Sequence, residues 1–148
     1  MFTIDRQLMR YYLIDQWGSY VNDFRSLNSE AQQQFLLQQG YRRFADLLAH
    51  FTAWWEMGMQ VIETYRLEPE FQQPAVDVNS FNAAAVESVR DLSEEQVVRS
   101  FEETRKNFTE LIDLLSDDDF RNPRIAKQFE IELINHLAEH AIKKDPAR

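Results

Sequence analysis

Residues that break helices and form tight turns are scarce in this chain, and this scarcity restricts its fold more than any other feature. Among 148 residues there are 3 glycines and 4 prolines. A sheet-rich fold needs a turn after nearly every short strand, and those two residues dominate turns. The chain is therefore predicted to be all-α. Its hydrophobic content of 44% is enough for the packed core of a single domain over residues 1–148.

Four segments carry apolar residues at helical spacing. The first covers residues 4–24, and the second follows Gly40 and runs to Arg66. One stripe of the second segment steps by three and four residues and is predicted to face the core: Leu47, His50, Trp54, Met57 and Val61. Gly58 lies inside this helix, which indicates close backbone packing or a bend.

The third and fourth segments have recognisable ends. The third opens with Ser93 and Gln96, which form a capping box, and the acidic run "SDDD" is expected to end it. The fourth begins near Pro123, and the basic stretch "KKDPAR" is expected to close it.

The connections between these segments are of unequal length. The polar stretch "SLNSEAQQQ" follows the first segment, with a short extra helical turn predicted at residues 35–37. The longest loop, "LEPEFQQPAVDVNS", separates the second segment from the third and leads into a short helix, "FNAAAVESVRD". Four amphipathic helices with links of this kind predict a four-helix bundle.

Charge and composition exclude several classes of partner and reaction. The formal net charge of −9 would repel nucleic-acid phosphates and anionic membrane surfaces, so neither partner is expected. The chain has no cysteine, which removes disulfides, thiolate metal ligands and a cysteine nucleophile. No signal peptide or membrane-length apolar run is recognisable, so a cytoplasmic protein is expected.

The 3 histidines of the chain are all predicted to face the interior. His136 and His140 are four residues apart, and residues at this spacing project from the same side of a helix. His50 lies on the apolar stripe of the second segment. A buried imidazole needs a partner for its ring nitrogens, and one divalent ion could serve all three rings.

Simpler explanations of these histidines compete with a metal site. Many pairs at this spacing are surface accidents, and a single inward histidine is more often a hydrogen-bonded core residue. The stretch "HLAEH" also matches an inverted zinc-peptidase motif with Glu139 as base. That interpretation is rejected, because those enzymes draw a further ligand from far downstream and only eight residues follow His140.

The stretches "DLLAHFTAWWEM" and "INHLAEHA" together resemble the DinB-like superfamily. The middle of the chain, "DVNSFNAAAV", and "EETRKNFTELIDLLSDDDF" are similar to the corresponding regions of that superfamily and its relatives. These relatives include thiol-dependent S-transferases, mycothiol-dependent maleylpyruvate isomerases and ClbS/DfsB proteins. The resemblance covers nearly the whole chain.

This resemblance implies a fold, a metal and an assembly. The implied fold is a four-helix bundle of up-down-down-up topology with a long crossover between the second and third helices. The implied cofactor is a divalent metal, nickel or zinc, bound by His50, His136 and His140, and many members are homodimers. Members of the ClbS type lack these histidines, whereas this chain has all three.

Other residues are candidates for supporting the metal or binding a substrate. Asp46 and Glu132 each precede a histidine by one helical turn and could accept an imidazole N–H, although a solvated carboxylate is the simpler interpretation of each. Four side chains are expected to wall a small-molecule pocket, unless they are plain core: Tyr12, Trp54, Trp55 and Met57. The mouth of the pocket is expected near Asp77, Asn79 and Asn82, with Asn79 or Ser80 as an alternative helix cap.

Three functions compete at this stage. The first is a metal-dependent S-transferase or hydrolase, which would need an external low-molecular-weight thiol because the chain has no cysteine. The second is a non-catalytic small-molecule-binding or stress-protection module. The third is a metal-free hydrolase or resistance protein of the ClbS type.

Overall fold

A computed structural model describes residues 3–143, and within them the chain forms seven helices. They are α1 (residues 6–25), α2 (Ser29–Gln39), α3 (Phe44–Leu67), α4 (Val78–Ser88), α5 (Glu94–Leu114), α6 (Asp117–Arg121) and α7 (residues 123–139). No β-strand occurs within residues 3–143, so the all-α prediction is confirmed. In the same range, no helix combines the length and the apolar character needed to cross a bilayer.

Helix ends follow the capping signals of the sequence. Ser93 and Gln96 form the predicted capping box at the start of α5, and Pro123 occupies the first turn of α7 behind the Asn122 cap. Gly40 ends α2 in the left-handed conformation, with φ of 82°, which glycine adopts without a steric penalty. The helical part of α7 ends at Glu139, and residues 144–148, most of the predicted basic last turn, lie outside the described residues.

Two helices were under-predicted. The polar stretch after α1 forms the three-turn helix α2, in which the Asn28 side chain accepts the Ala31 N–H. Helix α5 ends at Leu114, just before the run "SDDD" that was expected to end it, but the short helix α6 was not predicted: Ser116 caps its start and Asp119 returns the capping interaction. Acidic residues suit a helix start because its free N–H groups carry partial positive charge.

Helices α1 and α7 each contain a π-helical segment, at Tyr11–Gln16 and at Glu130–Asn135. Two buried indoles donate to backbone carbonyls of the second segment: Trp17 Nε1 to Leu133 O at 2.9 Å and Trp55 Nε1 to Glu132 O at 3.1 Å. π-Helical turns inside α-helices occur frequently at functional sites. This one lies immediately before His136.

Helix α3 is the centre of the packing and contacts α2, α4, α5 and α7, while α1 contacts α5 and α7. The most deeply buried face of α3 runs through Phe51, Trp55, Gly58 and Ile62. The buried face is therefore rotated relative to the middle of the predicted stripe: Trp54 and Met57 are half-buried, while the other three stripe residues are buried. The rotation follows from the larger aromatic core, in which Trp17 and Trp55 make an edge-to-face contact with centroids 4.9 Å apart.

Candidate functional site

The three histidine rings lie together at one place in the fold. The ring centroid of His50, on α3, is 5.4 Å from that of His136 and 5.1 Å from that of His140. The centroids of His136 and His140 are 6.1 Å apart. His136 begins the last turn of α7, and His140 caps its end. The structure thus brings residues 50, 136 and 140 together.

The protonation of His50 can be deduced from its neighbours. Trp54 Nε1 and His50 Nδ1 both lie within hydrogen-bond distance of Asn82 Oδ1, at 2.7 Å and 3.1 Å. An indole nitrogen only donates and an amide oxygen only accepts, so His50 Nδ1 must also donate. The neutral ring then carries a lone pair on Nε2, which is buried and has no hydrogen-bond partner in the structure. Such an unpaired lone pair is costly unless a cation or a donor meets it.

His140 is fixed at two points. Its Nδ1 lies 2.5 Å from Gln39 Oε1, at the end of α2, and this amide oxygen accepts the N–H. Its backbone carbonyl accepts the hydroxyl of Tyr20 at 2.6 Å. Burial raises the pKa of Tyr20 above its ordinary value, so the phenol keeps its proton and remains a donor. As in His50, the Nε2 atom is left as the lone-pair nitrogen of the neutral ring.

His136 faces a carboxyl group of its own helix. Glu132 is completely buried, and its Oε1 atom lies 3.5 Å from His136 Nδ1. Gln128 Nε2 donates to the other carboxyl oxygen, Oε2, at 3.0 Å. A Cβ atom at Gly58 would overlap the Glu132 side chain, so this glycine leaves the space that the carboxyl group fills. The Glu132 carboxyl thus lies beside His136.

Electrostatics keep the cluster neutral near pH 7. Burial, followed by the charges of His50 and His140, lowers the pKa of His136 to about 4. Burial and then the charge of His50 lower the pKa of His140 to about 4, and burial also lowers the pKa of His50. Burial raises the pKa of Glu132 to about 8, opposed by the hydrogen bond from Gln128. In the metal-free protein the three imidazoles are therefore neutral at pH 7, and each has a lone pair available to bind a cation.

Asp46 occupies a different position from the one expected. Its carboxylate accepts two hydrogen bonds from Arg43, at 2.7 Å and 3.1 Å, in the first turn of α3. The oxygen that faces His50 Nδ1 belongs instead to Asn82 of α4. The neighbouring guanidinium explains the difference, because it binds a carboxylate more strongly than a neutral imidazole does.

The expected pocket residues are dispersed. Half-buried Trp54 packs on Phe81 with centroids 4.3 Å apart, and its centroid is 6.5 Å from those of His50 and His136. Tyr12 lines a separate cavity of about 410 Å³ between α1 and the end of α7. Met57 is half-buried on α3. At α4, Asp77 is the helix cap, in place of Asn79 or Ser80.

The three imidazoles are suitable ligands for a divalent cation, but His136 and His140 lie slightly too far apart for both to bind the same ion in the described conformation. Three imidazoles bound to one ion at about 2.0–2.1 Å have ring centroids roughly 4.5–5.5 Å apart. Two of the three separations lie in this range, and the separation of His136 from His140 exceeds it. Within residues 3–143, no group of three or more histidine, aspartate or glutamate side chains is already arranged to hold a metal ion.

Known proteins give no independent assignment of this site. No family model matches the sequence, and no curated protein or solved structure is significantly similar to it.

Proposed function

We propose that this protein is a divalent-metal-dependent enzyme of the DinB-like type, an S-transferase or hydrolase acting on a small molecule. One observation carries the proposal: the buried Nε2 lone pair of His50 has no partner, and two further imidazoles lie within 5.4 Å of its ring centroid. Three neutral histidines on rigid elements are a known ligand set for catalytic zinc.

The proposed architecture is a four-helix bundle of up-down-down-up topology formed by α1, α3, α5 and α7. Contacts of α3 and α1 with both α5 and α7 support this arrangement. The segment between α3 and α5, which contains α4, would be the long crossover. This crossover carries Asn82 to His50, so the proposed topology would also explain how the histidine cluster is supported.

In the proposed mechanism, His50, His136 and His140 bind nickel or zinc. When bound, the cation would supply positive charge that lowers the pKa of a nearby thiol or water. The three rings would be held in position at their Nδ1 atoms, that of His50 by Asn82, that of His140 by Gln39 and that of His136 by Glu132. For thiol transfer the thiol comes from outside, because the chain has no cysteine. The thiol sulfur would lose its proton to solvent and form a bond to an electrophilic atom of the substrate, while the bond from that atom to its leaving group breaks and the leaving group departs with the electron pair.

Half-buried Trp54 and Phe81 form the proposed substrate-facing wall next to His50. Their rings, which are in contact at an interplanar angle of 45°, present apolar surface beside the histidine cluster, which suits the apolar part of a small substrate. A homodimer and a cytoplasmic location are part of the proposal and rest on the resemblance to the DinB-like superfamily.

Metal content is the direct test of the proposal. Protein purified without a histidine tag should take up about one equivalent of Ni²⁺ or Zn²⁺ in calorimetric titration after treatment with a chelator. His136→Ala should abolish the uptake, whereas Glu139→Gln, at an exposed position between the two histidines, should retain it. Uptake below roughly a tenth of an equivalent by the unaltered protein would overturn the proposal.

A metal-free hydrolase or binding module is the second candidate. It is favoured by the absence, within residues 3–143, of a side-chain group already arranged to hold a metal ion. The two candidates differ in one measurement: thiol transfer or hydrolysis by a metal-dependent enzyme stops on chelation and returns with Ni²⁺ or Zn²⁺. Activity that persists in excess chelator would favour the metal-free candidate.

A further inference from the structure

The turn that ends α2 contacts two of the three histidines. Gln39 meets His140 through its side-chain amide, and the Tyr41 ring lies beside His50 with centroids 5.6 Å apart. Gly40 stands between them. This three-residue turn follows α2, which is not one of the four long helices. It contacts one imidazole on α3 and one at the end of α7.

The backbone of this turn is held by two nested hydrogen bonds. Gly40 N donates to Leu37 O at 3.1 Å, and Tyr41 N donates to Leu36 O at 3.0 Å. This pair is the Schellman arrangement, which requires the left-handed conformation at the glycine position. A Cβ added at Gly40 would meet no atom within 4 Å, so any effect of a side chain there comes from backbone conformation alone.

Gln39 determines which nitrogen of His140 carries the proton. The neutral imidazole has one N–H, and the amide oxygen at 2.5 Å from Nδ1 retains it on that atom. The Tyr20 hydroxyl holds the backbone of the same residue, so the ring cannot turn away easily. Without the amide, the proton could move to Nε2, and that nitrogen would lose its lone pair.

We propose that the Gln39–Gly40–Tyr41 turn is a positioning element that holds His140 in the Nδ1–H tautomer and fixes it against His50. Gln39 provides the acceptor, Gly40 provides the backbone conformation, and Tyr41 packs on the facing imidazole. The consequence for metal affinity rests on the proposed function, whereas the tautomer of His140 does not.

The first experiment measures the tautomer in metal-free protein at pH 7.5, by long-range ¹⁵N–¹H correlation of the imidazole nitrogens. The unaltered protein should show the Nδ1–H form of His140. Gln39→Ala should shift His140 towards the Nε2–H form, and Gln39→Glu, which restores an oxygen acceptor, should return it. Gln38→Ala, at the exposed neighbouring position, is the matched control and should change nothing. An Nε2–H form in the unaltered protein, or an unchanged tautomer in Gln39→Ala, would overturn the proposal.

The second experiment separates the glycine from the amide. Asparagine tolerates the left-handed conformation that position 40 adopts, whereas alanine does so only at a steric cost. Gly40→Ala should therefore perturb the His140 signals more than Gly40→Asn does. Equal perturbation by both, with both variants folded by circular dichroism, would contradict the role of Gly40.

Metal titration gives the third measurement. Replacing a group that orients a metal-bound histidine typically weakens affinity about 10–100-fold. Gln39→Ala should weaken Ni²⁺ or Zn²⁺ binding by this factor, and Gln39→Glu should recover most of it. If the unaltered protein binds neither ion, the proposed function fails, while the tautomer measurement still decides the role of the turn. If it binds and Gln39→Ala binds equally well, the role of the turn in affinity fails instead.

Discussion

Glu132 Oε1 and His136 Nδ1 lie 3.5 Å apart in the interior, and neither atom has a hydrogen-bond partner in the structure. Their side chains leave α7 one turn apart. Burial favours the uncharged form of each group, since charge is expensive away from water. Both are therefore neutral near pH 7 in the free protein, and the cluster presents lone pairs instead of positive charge.

The pH dependence of stability should reveal Glu132. Its pKa is raised to about 8 in the folded protein from an ordinary value of 4.5, so the unfolded chain releases this proton at lower pH. Its contribution to stability is complete below pH 4.5 and is lost as the pH rises towards 8. In the presence of chelator, raising the pH from 4.5 to 8 should therefore destabilise the unaltered protein relative to Glu132→Gln. The difference in their free energies of unfolding should shift by roughly 2–4 kcal/mol in favour of the variant. Urea denaturation at several pH values measures the difference.

The control for this series is Glu139→Gln, which removes an exposed carboxyl group from the same helix. A constant difference between Glu132→Gln and the unaltered protein from pH 4.5 to pH 8 would contradict the raised pKa.

Gly58→Ala should destabilise the protein by about 1–3 kcal/mol, because the added methyl group overlaps the Glu132 side chain. Gly18→Ala is the matched control: its Cβ would make only a contact of 3.4 Å with the guanidinium of Arg105. Combining Gly58→Ala with Glu132→Ala should cost less than the sum of the two single changes, since the methyl group then has room. Strict additivity in chemical denaturation would show that the two positions do not compete for space.

The three imidazoles should titrate as a coupled group. In metal-free protein, NMR titration should place the pKa of His136 and of His140 at about 4, below the ordinary 6.5. Folded stability should accordingly fall as the pH drops from 6.5 towards 4, because the unfolded chain takes up these protons first. His50→Gln should raise both pKa values, since the charge of His50 is one cause of each depression. If the pKa values of His136 and His140 are unchanged in His50→Gln, the charge of His50 does not influence the other two rings.

Asn82→Ala should remove one acceptor from two donors, Trp54 Nε1 and His50 Nδ1. Leaving these groups unpaired should cost about 1–3 kcal/mol of unfolding free energy and alter the Trp54 environment seen by fluorescence. Asn79→Ala, at an exposed position of the same helix, should stay within about 0.5 kcal/mol of the unaltered protein. Equal stability of the two variants would show that the shared acceptor contributes nothing.

Apolar periodicity and capping residues were sufficient to predict the long helices α3 and α5. Helix α2 was predicted only as a short turn at residues 35–37, because these apolar residues are consecutive and form no stripe. Of the five residues in the predicted stripe of α3, three are buried, whereas Trp54 and Met57 are only half-buried. Periodicity alone could not choose between the adjacent tryptophans Trp54 and Trp55, whose burial depends on the helices packed against them.

The histidine cluster was predictable because i and i+4 share a helix face and because His50 lies in an apolar stripe. Its supporting amides were not. Gln39 and Asn82 belong to α2 and α4, and an amide side chain has no local pattern that reveals its tertiary partner. Asp46 appeared a better support from spacing alone, but a guanidinium three residues earlier holds its carboxylate.

The π segment at Glu130–Asn135 accommodates one residue more than a regular turn would, and each residue rotates an α-helix by about 100°. Deleting a single residue there, without touching any histidine, would swing the end of α7 around its axis and turn both of its imidazoles away from His50. The identities of the three histidines are therefore insufficient to assemble the cluster: its existence depends equally on the length of the helix that precedes it.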